Sequence, residues 1–389
     1  MGFDASSNRF RGLIDGLCYE GHHVTIGVVG GLQKKNEDKC FESPSDNLDV
    51  VYLSRANHYN GLIGRLNTYF LERWHQINVR RKFIRLLNNN SNIVWLTNSS
   101  SVLNLYLKSA ENIKGKTFIE LNEFNDIYTE EKESNFFQKR KGRKDSETFC
   151  KTIGKIDLFA VMTQTLLNYY RGMAKKDAKF IHLPMTVDIS RFKDVSTTEE
   201  YSKPYIAFTG TMANHKDGVD VLIQAFSRIA DKYPNLHLYL AGFWHYDVPM
   251  QDKMIEDFGL NERVHRLGTL SREQIPPFVC NAEVLALSRP DSHQAQGGFP
   301  TKLGEYLATG NPVCVTKVGE IPDYLEDNVS AYLAKPGDVE SFANALDRAL
   351  GDKTRAVIVG TNGRKVAEEV FNVSVQSKRL SDFLMNNTK

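Results

Sequence analysis

Residues 297–313 read GGFPTKLGEYLATGNPV, a glycine loop that leads into a helix and then into an apolar strand. Backbone N–H groups in such a loop and at a helix N-terminus bind anions. Lys302 adds positive charge there, and Glu305 can accept hydrogen bonds from a ribose diol. The leading hypothesis is therefore a nucleotide-sugar site. The alternative is an ordinary loop, helix and strand, in which Gly310 caps the helix and Lys302 is only solvated.

The composition excludes several classes of protein. The chain has 389 residues, of which 41% are hydrophobic and 25% charged, with a net charge of +2. These values are typical of a globular protein of two domains. Positive and negative charges are nearly equal in number, which does not indicate a nucleic-acid partner. Five cysteines without paired spacing indicate neither a disulfide framework nor a zinc site. We expect a cytoplasmic protein, because neither a signal peptide nor an apolar run of about 18 residues is present.

Short apolar runs alternate with longer amphipathic ones, which is typical of parallel α/β sheets. Residues 128–146, rich in charge, are predicted to be a solvated loop ahead of a helix. The predicted strands are His23–Val29, Val50–Leu53, Ile93–Thr97, Thr117–Leu121, Leu158–Met162, Phe180–Leu183, Tyr205–Thr209, Leu236–Ala241, Val264–Leu267, Val284–Leu287 and Pro312–Thr316.

A second loop is expected at the same edge of the sheet as the first. The strand Tyr205–Thr209 is followed by Gly210, which permits a tight turn, and by Lys216 near a helix start. Alone, this pattern also fits a plain strand-to-helix turn. Ligands bind beyond the carboxyl ends of parallel strands, so Lys216 would supply a second positive contact for the diphosphate bound by the 297–305 loop.

At these residues the chain resembles the GT-B glycosyltransferases, in particular family 4 and its bacterial polysaccharide-assembly members. The likeness covers most of the chain and is strongest from Tyr205 to Leu350. It implies an α/β protein of two Rossmann-like, doubly wound domains, 1–195 and 196–372, facing each other across a cleft. A C-terminal helix in 373–389 would pack back on the first domain. The matching segments are 21–24, 184–192, 210–218, 302–313 and 319–324.

The resemblance implies a retaining transfer of sugar from a nucleoside-diphosphate sugar to an acceptor hydroxyl, in surface polysaccharide, capsule or O-antigen assembly. The departing phosphate would accept the proton, so the protein mainly positions groups and stabilises charge. No D-x-D string occurs, so neither a metal nor another cofactor is expected. The implied donor-binding residues are Gly210, Thr211, Lys216, Arg289, Gly298, Phe299, Lys302, Leu303 and Glu305.

Three departures from the family pattern stand out. The first of two glutamates usually eight positions apart falls on Gly297, so the N–H groups of Gly298 and Phe299, or the side chains of Asp291, Gln294 or Gln296, would serve the sugar. Where family members commonly have an arginine after the first glycine of the second domain, this chain has Thr211.

The third departure concerns the start of the chain. It opens at what resembles an acceptor-side glycine loop, with Gly2, Ser6 and Ser7, and the family's first central strand is absent. Without that strand, two neighbouring strands would lack a backbone partner. Either another segment fills the gap or the chain is N-terminally truncated, which is the expectation here.

The acceptor side offers fewer signals. Glu120 and Glu123 follow a strand and are predicted to face the cleft as catalytic groups near the acceptor; the alternative is a strand-end carboxylate and a helix cap. Residues 61–88 interleave basic and apolar side chains. They fit either a helix on the inner face of a membrane that carries a lipid-linked glycan acceptor, or a surface helix packed on the sheet.

Two other functions are compatible with this fold. A nucleotide-sugar epimerase would need a base that reaches the sugar ring, and no residue is clearly placed for it. A non-enzymatic, two-domain sugar- or nucleotide-binding protein of the periplasmic kind would need an export signal, and would leave Lys216, Lys302 and Glu305 without a role.

Overall fold

The computed structural model of this chain describes residues 5–29, 46–53, 77–87, 92–125, 136–196, 200–201 and 204–388. They divide into two compact units. The first contains Leu13–Leu183 and Ser377–Lys389, and the second contains Pro184–Gln376 with residues up to Gly12. The domain limits at 195/196 and 372/373 stay a prediction. In the part of the chain described, no helix is both long and apolar enough to cross a membrane.

The first unit contains two separate parallel sheets among its described residues. One pairs β1 with β2, and the other has the order β3-β4-β5-β6. Buried apolar side chains of the second sheet, such as Phe118 and Leu158, pack with Leu13, Leu17 and Leu380 in one core. The strands are β1 Val24–Val28, β2 Leu48–Tyr52, β3 Ile93–Leu96, β4 Lys116–Leu121, β5 Leu158–Val161 and β6 Lys179–His182.

A half-buried ion pair joins the strands of this sheet. Asp157, just before β5, lies 2.7 Å from the Lys175 ammonium and accepts hydrogen bonds from the N–H and hydroxyl of Thr117 in β4, both at 2.8 Å. Burial raises the pKa of Asp157, but these hydrogen bonds and the Lys175 charge outweigh it and hold the pKa below its usual value.

The helices of the first unit correct two predictions. They are α1 Ala5–Tyr19, whose residues up to Gly12 belong to the second unit, α2 (residues 77–87), α3 Ser100–Leu107, α4 Phe136–Ile153 and α5 Gln164–Arg171. The predicted acceptor-side loop is wrong at Ser6 and Ser7, because the backbone there is already helical and continues into the buried positions Leu13 and Leu17; Gly2 lies outside the described residues.

The predicted loop at 128–146 is also wrong from Phe136 onward, where α4 begins. Lys, Arg and Glu have good helix propensity, so a charged run can be the solvated face of a helix as readily as a loop. Phe149 and Ile153 supply the buried positions that hold this helix to the unit.

Only residues 77–87 of the 61–88 segment are described, and they are helical. Val79, Phe83 and Leu87, spaced by four, are buried, which agrees with the interpretation of a helix packed on the protein. Basic side chains at 80, 81, 82 and 85 are exposed. The rest of the segment lies outside the described residues.

The second unit has one six-stranded parallel sheet in the order β12-β11-β10-β7-β8-β9. The order reverses between β7 and β10, which is the switch point of a doubly wound sheet and the place where such sheets bind ligands. The strands are β7 Tyr205–Thr211, β8 His237–Phe243, β9 Val264–Gly268, β10 Val284–Leu287, β11 Val313–Thr316 and β12 Tyr332–Ala334.

Helices connect these strands. They are α6 Asn214–Asp217, α7 Val219–Ile229, α8 Val248–Asp257, α9 Ile275–Cys280, α10 His293–Gly297, α11 Thr301–Thr309, α12 Ile321–Tyr324, α13 Val339–Gly351, α14 Lys353–Val366 and α15 Val373–Asn386, whose residues from Ser377 onward belong to the first unit. Gly310 ends α11 in the left-handed region at φ 80°, so the helix cap that the alternative interpretation assigned to this residue is present.

Candidate functional site at the sheet switch point

The loops that follow β7 and β10 touch each other. Gly218 has φ +67°, and a Cβ there would lie 2.1 Å from the carbonyl oxygen of Ser288, immediately after β10. The buried Ser288 hydroxyl donates to the Gly218 carbonyl oxygen at 2.7 Å. The switch point therefore has a compact floor that only glycine at position 218 permits.

Gly210 makes room for an ammonium group at this floor. A Cβ on Gly210 would lie 2.1 Å from Lys302 Nζ and 2.8 Å from Asp217 Oδ2. On the neighbouring strand, a Cβ on Gly242 would lie 1.5 Å from the Gly210 carbonyl oxygen. The predicted tight turn at Gly210 is wrong, because β7 continues to Thr211 and Gly210 pairs with Gly242 of β8. Glycine at position 210 instead admits the Lys302 side chain.

Lys302 is paired rather than only solvated. Its Nζ lies 2.8 Å from Asp217 Oδ1 and 5.1 Å from the centre of the Phe208 ring, while Asp217 Oδ2 accepts the N–H of Thr211 at 3.0 Å. Asp217 is buried, so this carboxylate fixes both the ammonium and the end of β7. The ammonium of Lys302 has three N–H donors, and the Asp217 carboxylate accepts from one of them.

The other two predicted cations act on the same point. Burial lowers the pKa of Lys302, the Asp217 charge opposes that shift, and the positive charges of Arg289 and Lys216 lower it further. Arg289 is half-buried after β10, and Lys216 is exposed on α6. Three side chains, from α6, from the residues after β10 and from α11, therefore place positive charge at the switch point.

Glu305 has a partner that the sequence pattern does not reveal. Its Oε1 accepts a hydrogen bond from Arg191 Nη1 at 2.7 Å, and Arg191 Nη2 donates to the carbonyl oxygen of Arg272 at 2.9 Å. Arg191 lies in a 3₁₀ turn that Asp188 caps through the N–H of Ser190. Glu305 is thus held in orientation before any ligand binds.

The helix α11 that carries Lys302 and Glu305 is anchored to β7. The hydroxyl of fully buried Tyr306 accepts the N–H of Thr209 at 2.6 Å. Beyond the helix, the Asn311 side chain donates to the carbonyl oxygens of Val279, Cys280 and Ala282 at 2.9–3.2 Å. The first turn of α11 is therefore fixed relative to the end of β7.

Three other predicted donor-binding residues make contacts within the second unit. The N–H of Gly298 donates to the Gln294 carbonyl oxygen at 3.1 Å, which corrects the expectation that it faces a ligand. The Phe299 ring is buried against Tyr324 and Phe371. Leu303 is fully buried, so its side chain supports the helix instead of meeting solvent.

Two of the side chains expected to compensate for Gly297 bind each other. Gln296 Nε2, on α10, donates to Oδ1 of Asp291, which lies just before the helix, at 2.6 Å. Ser292 caps this helix through the N–H of Ala295. Their role toward a sugar stays a prediction.

The predicted catalytic carboxylates lie in the first unit. Glu120 is inside β4, opposite Ala160 of β5, and not beyond the strand as expected. Glu123 is exposed after the strand end, and its backbone oxygen accepts the Asn125 side chain at 2.8 Å. Beyond β3 and β4 lies a cavity of about 200 Å³, lined in part by Asn98, Ser100, Asn125, Asp145 and Ser146.

The site also contains residues that the sequence interpretation missed. Asp217 lies in the family-like segment 210–218 and Arg191 in the family-like segment 184–192, yet neither was assigned a role. A buried carboxylate or guanidinium needs a partner of opposite charge, which is the signal that could have linked them to Lys302 and Glu305.

A comparison of the sequence with protein-family models identifies this unit. Residues 203–352 match the family described as "Glycosyl transferases group 1", a range that contains all nine predicted donor-binding residues, from Gly210 to Glu305. Residues 203–352 are a group 1 glycosyl transferase domain. The resemblance to glycosyltransferases is thereby confirmed.

Curated relatives of this glycosyl transferase domain are distant. A protein of Corynebacterium glutamicum named GDP-mannose-dependent monoacylated alpha-(1-6)-phosphatidylinositol monomannoside mannosyltransferase is 24% identical over 247 residues, which cover 60% of this chain and 63% of the relative. The chain spans 28% to 63% of the length of the first three curated relatives it matches.

Solved structures extend the likeness to the whole chain. Sucrose-phosphate synthase from Thermosynechococcus elongatus is 16% identical with a TM-score of 0.73, covering 98% of this chain and 94% of that one. Anabaena HepE, solved in complex with UDP, is 16% identical with a TM-score of 0.68, covering 97% and 96%. The predicted GT-B fold is confirmed.

Proposed function

We propose that this protein is a glycosyltransferase that moves a sugar from a nucleoside-diphosphate sugar to an acceptor hydroxyl. The observation that carries the proposal is the convergence of Lys216, Arg289, Lys302 and Glu305 at the switch point of a group 1 glycosyl transferase domain. Support comes from HepE, which was solved with UDP, and from the Corynebacterium relative, whose name specifies GDP-mannose.

The proposed mechanism relies on positioned charge. As the bond between the sugar and the phosphate breaks, negative charge develops on the leaving diphosphate, and the three cations stabilise it in a partly desolvated site. Retention at the anomeric carbon, with the leaving phosphate accepting the proton of the acceptor hydroxyl, follows the resemblance to family 4. In this proposal the cationic side chains neutralise the diphosphate without a metal ion.

Arg191 prepares Glu305 for the nucleotide in this scheme. A carboxylate has about four lone-pair directions on its two oxygens, and the Arg191 guanidinium uses one of them on Oε1. The others can accept a ribose diol. We therefore assign Arg191 as a positioning residue that holds Glu305 in the orientation that the diol requires.

The acceptor is proposed to be a glycan or lipid-linked sugar of the kind used in polysaccharide assembly. In the first unit, the cavity beyond β3 and β4 offers amide, hydroxyl and carboxylate groups for sugar hydroxyls. The exposed basic residues of α2 would add contact with anionic lipid headgroups at the inner face of a membrane.

The test is thermal-shift titration of the purified chain with UDP, GDP, ADP and their common sugars. Lys216→Ala removes an exposed cation and Glu305→Gln keeps the side-chain size, while Lys335→Ala, another exposed lysine of the second unit, is the matched control. We expect a saturable shift with one nucleotide, with affinity at least tenfold weaker in both site variants and unchanged in the control.

Product analysis by mass spectrometry then separates the functions. Sugar appearing on an added acceptor, or free sugar released slowly without one, supports the transferase. Binding without any turnover supports a non-enzymatic binding protein, and conversion to an isomeric nucleotide sugar supports an epimerase. A folded chain that binds no nucleotide would refute the proposed donor site.

A further inference from the structure

Three possible metal ligands meet beside β7 and β8. His215 lies on α6, and His245 and Asp247 lie between β8 and α8. One ligand atom from each residue lies within 4.8 Å of the other two. The two imidazole ring centres are 5.4 Å apart, and His245 Nδ1 is 3.1 Å from Asp247 Oδ2.

Outer hydrogen bonds hold the Asp247 carboxylate of this group in place. Asp247 Oδ2 accepts the N–H of Asn214 at 2.8 Å. The Asn214 side-chain oxygen accepts Gln251 Nε2 at 2.6 Å, and the same fully buried amide group donates to the Met212 carbonyl oxygen at 2.9 Å. Metal ligands are commonly fixed by such outer hydrogen bonds, which reduce the cost of assembling the site.

The chemistry of the three side chains suits a particular class of ion. Two imidazoles and one carboxylate form a ligand set that Zn²⁺ and neighbouring first-row divalent ions accept, with water in a fourth position. Zinc ligands lie at about 2.0–2.2 Å from the ion, so the three ligand atoms must move closer to one another when an ion binds. The exposed side chain of His215 can rotate to achieve this, while His245 and Asp247 are half-buried.

We propose that His215, His245 and Asp247 bind one divalent transition-metal ion of the zinc class. The ion ties the loop after β7 to the loop after β8, and so fixes the backbone immediately before Lys216. It takes no part in the sugar transfer proposed above. The site would therefore exist whether or not the chain transfers sugar.

The chain carries its own reporter for this site. Trp244 adjoins His245 and its side chain is 68% exposed. Ni²⁺ or Co²⁺ bound to His245 should quench the fluorescence of this indole. Titrations use the full chain without a histidine tag, after removal of metal by a chelator, with Zn²⁺ measured by competition against a chromophoric chelator. Trp244→Phe identifies the part of the signal that comes from this indole.

Single ligands are then removed. His215→Asn changes an exposed position, and Asp247→Asn keeps an oxygen for the Asn214 N–H while removing the charge. The control is His265→Asn, because His265 Nε2 lies 2.9 Å from His237 Nδ1 and forms a histidine pair elsewhere in the same unit. Circular dichroism checks that each variant is folded.

We expect one ion per chain, a saturable loss of Trp244 fluorescence, and at least tenfold weaker binding in His215→Asn and Asp247→Asn, with His265→Asn unchanged. Binding that survives both ligand substitutions would overturn the proposal. So would binding lost only in His265→Asn, or Zn²⁺, Co²⁺ and Ni²⁺ that do not bind stoichiometrically to the folded wild-type chain.

Discussion

Replacing Asp217 by Asn removes the charge that pairs with Lys302 while keeping the size of the side chain and an acceptor for the Thr211 N–H. At the observed 2.8 Å, two unit charges attract by about 6 kcal/mol at an effective dielectric constant of about 20. The Asn amide dipole keeps part of this attraction. The Lys302 side chain is 18% exposed, so water solvates the unpaired ammonium and offsets another part of the loss. We expect the free energy of unfolding to fall by about 2–4 kcal/mol.

Hydrogen exchange followed by mass spectrometry measures this change locally, through peptides from β7 and α11. The Arg228–Glu340 pair is a matched control, because its atoms are also 2.8 Å apart but both side chains are more than half exposed. Glu340→Gln should cost less than about 1 kcal/mol. Adding Lys302→Met to Asp217→Asn removes the unpaired ammonium, so the double variant should be less destabilised than the sum of the singles, by about 1–3 kcal/mol.

Two results would contradict this reasoning. If Asp217→Asn costs no more than Glu340→Gln, water screens the switch-point pair as fully as a surface pair. If the effects of Asp217→Asn and Lys302→Met add, the two side chains do not stabilise each other, and the buried carboxylate would act only through the Thr211 N–H.

Other substitutions test the packing around this site and the first unit. Gly242→Ala places a Cβ 1.5 Å from the Gly210 carbonyl oxygen and should destabilise the second unit by more than about 3 kcal/mol, seen as faster exchange throughout β7 and β8. Tyr306→Phe removes the acceptor of the Thr209 N–H and should cost about 1–3 kcal/mol by the same measurement. Asp157 has a lowered pKa when folded, so its contribution is present above its ordinary value of about 3.9 and is lost as pH falls through the folded pKa. Asp157→Asn should flatten the acid-induced loss of stability of the first unit below about pH 4, whereas an unchanged acid transition would argue against that role.

Elements with a strong local signal were predictable from the sequence. The strand Val284–Leu287 was predicted with the bounds it has, because a short, fully apolar run followed by polar residues has few other uses in an α/β chain. The strand Tyr332–Ala334 was missed, since three apolar residues after a turn give too short a pattern. The run of Lys and Arg in α4 was assigned to a loop because charge alone does not distinguish a solvated helix from a solvated turn.

Side-chain pairing within the site was not predictable to the same degree. Arg191 and Glu305 are 114 residues apart, and their contact depends on where each segment lies in the folded unit. The sequence located Lys216, Lys302 and Glu305 by their place after strands, because strand ends in a parallel sheet share one edge. It did not reveal that two of these groups already carry partners, since that requires the order of the strands and the rotamers at their ends.

These ion-pair partners reduce the net charge that Lys302 and Glu305 present to a ligand. Lys302 and Glu305 largely cancel against Asp217 and Arg191, so much of the attraction for an anionic ligand comes from the exposed ammonium of Lys216. The pyrophosphate of a nucleoside diphosphate sugar carries about two negative charges, one for each phosphodiester-like group, and this cation attracts them. The pre-formed pairs then supply directed donors and acceptors. A site of this kind should bind the diphosphate with a strong dependence on salt that Lys216→Ala weakens, whereas Glu305→Gln should lower affinity and leave the salt dependence unchanged.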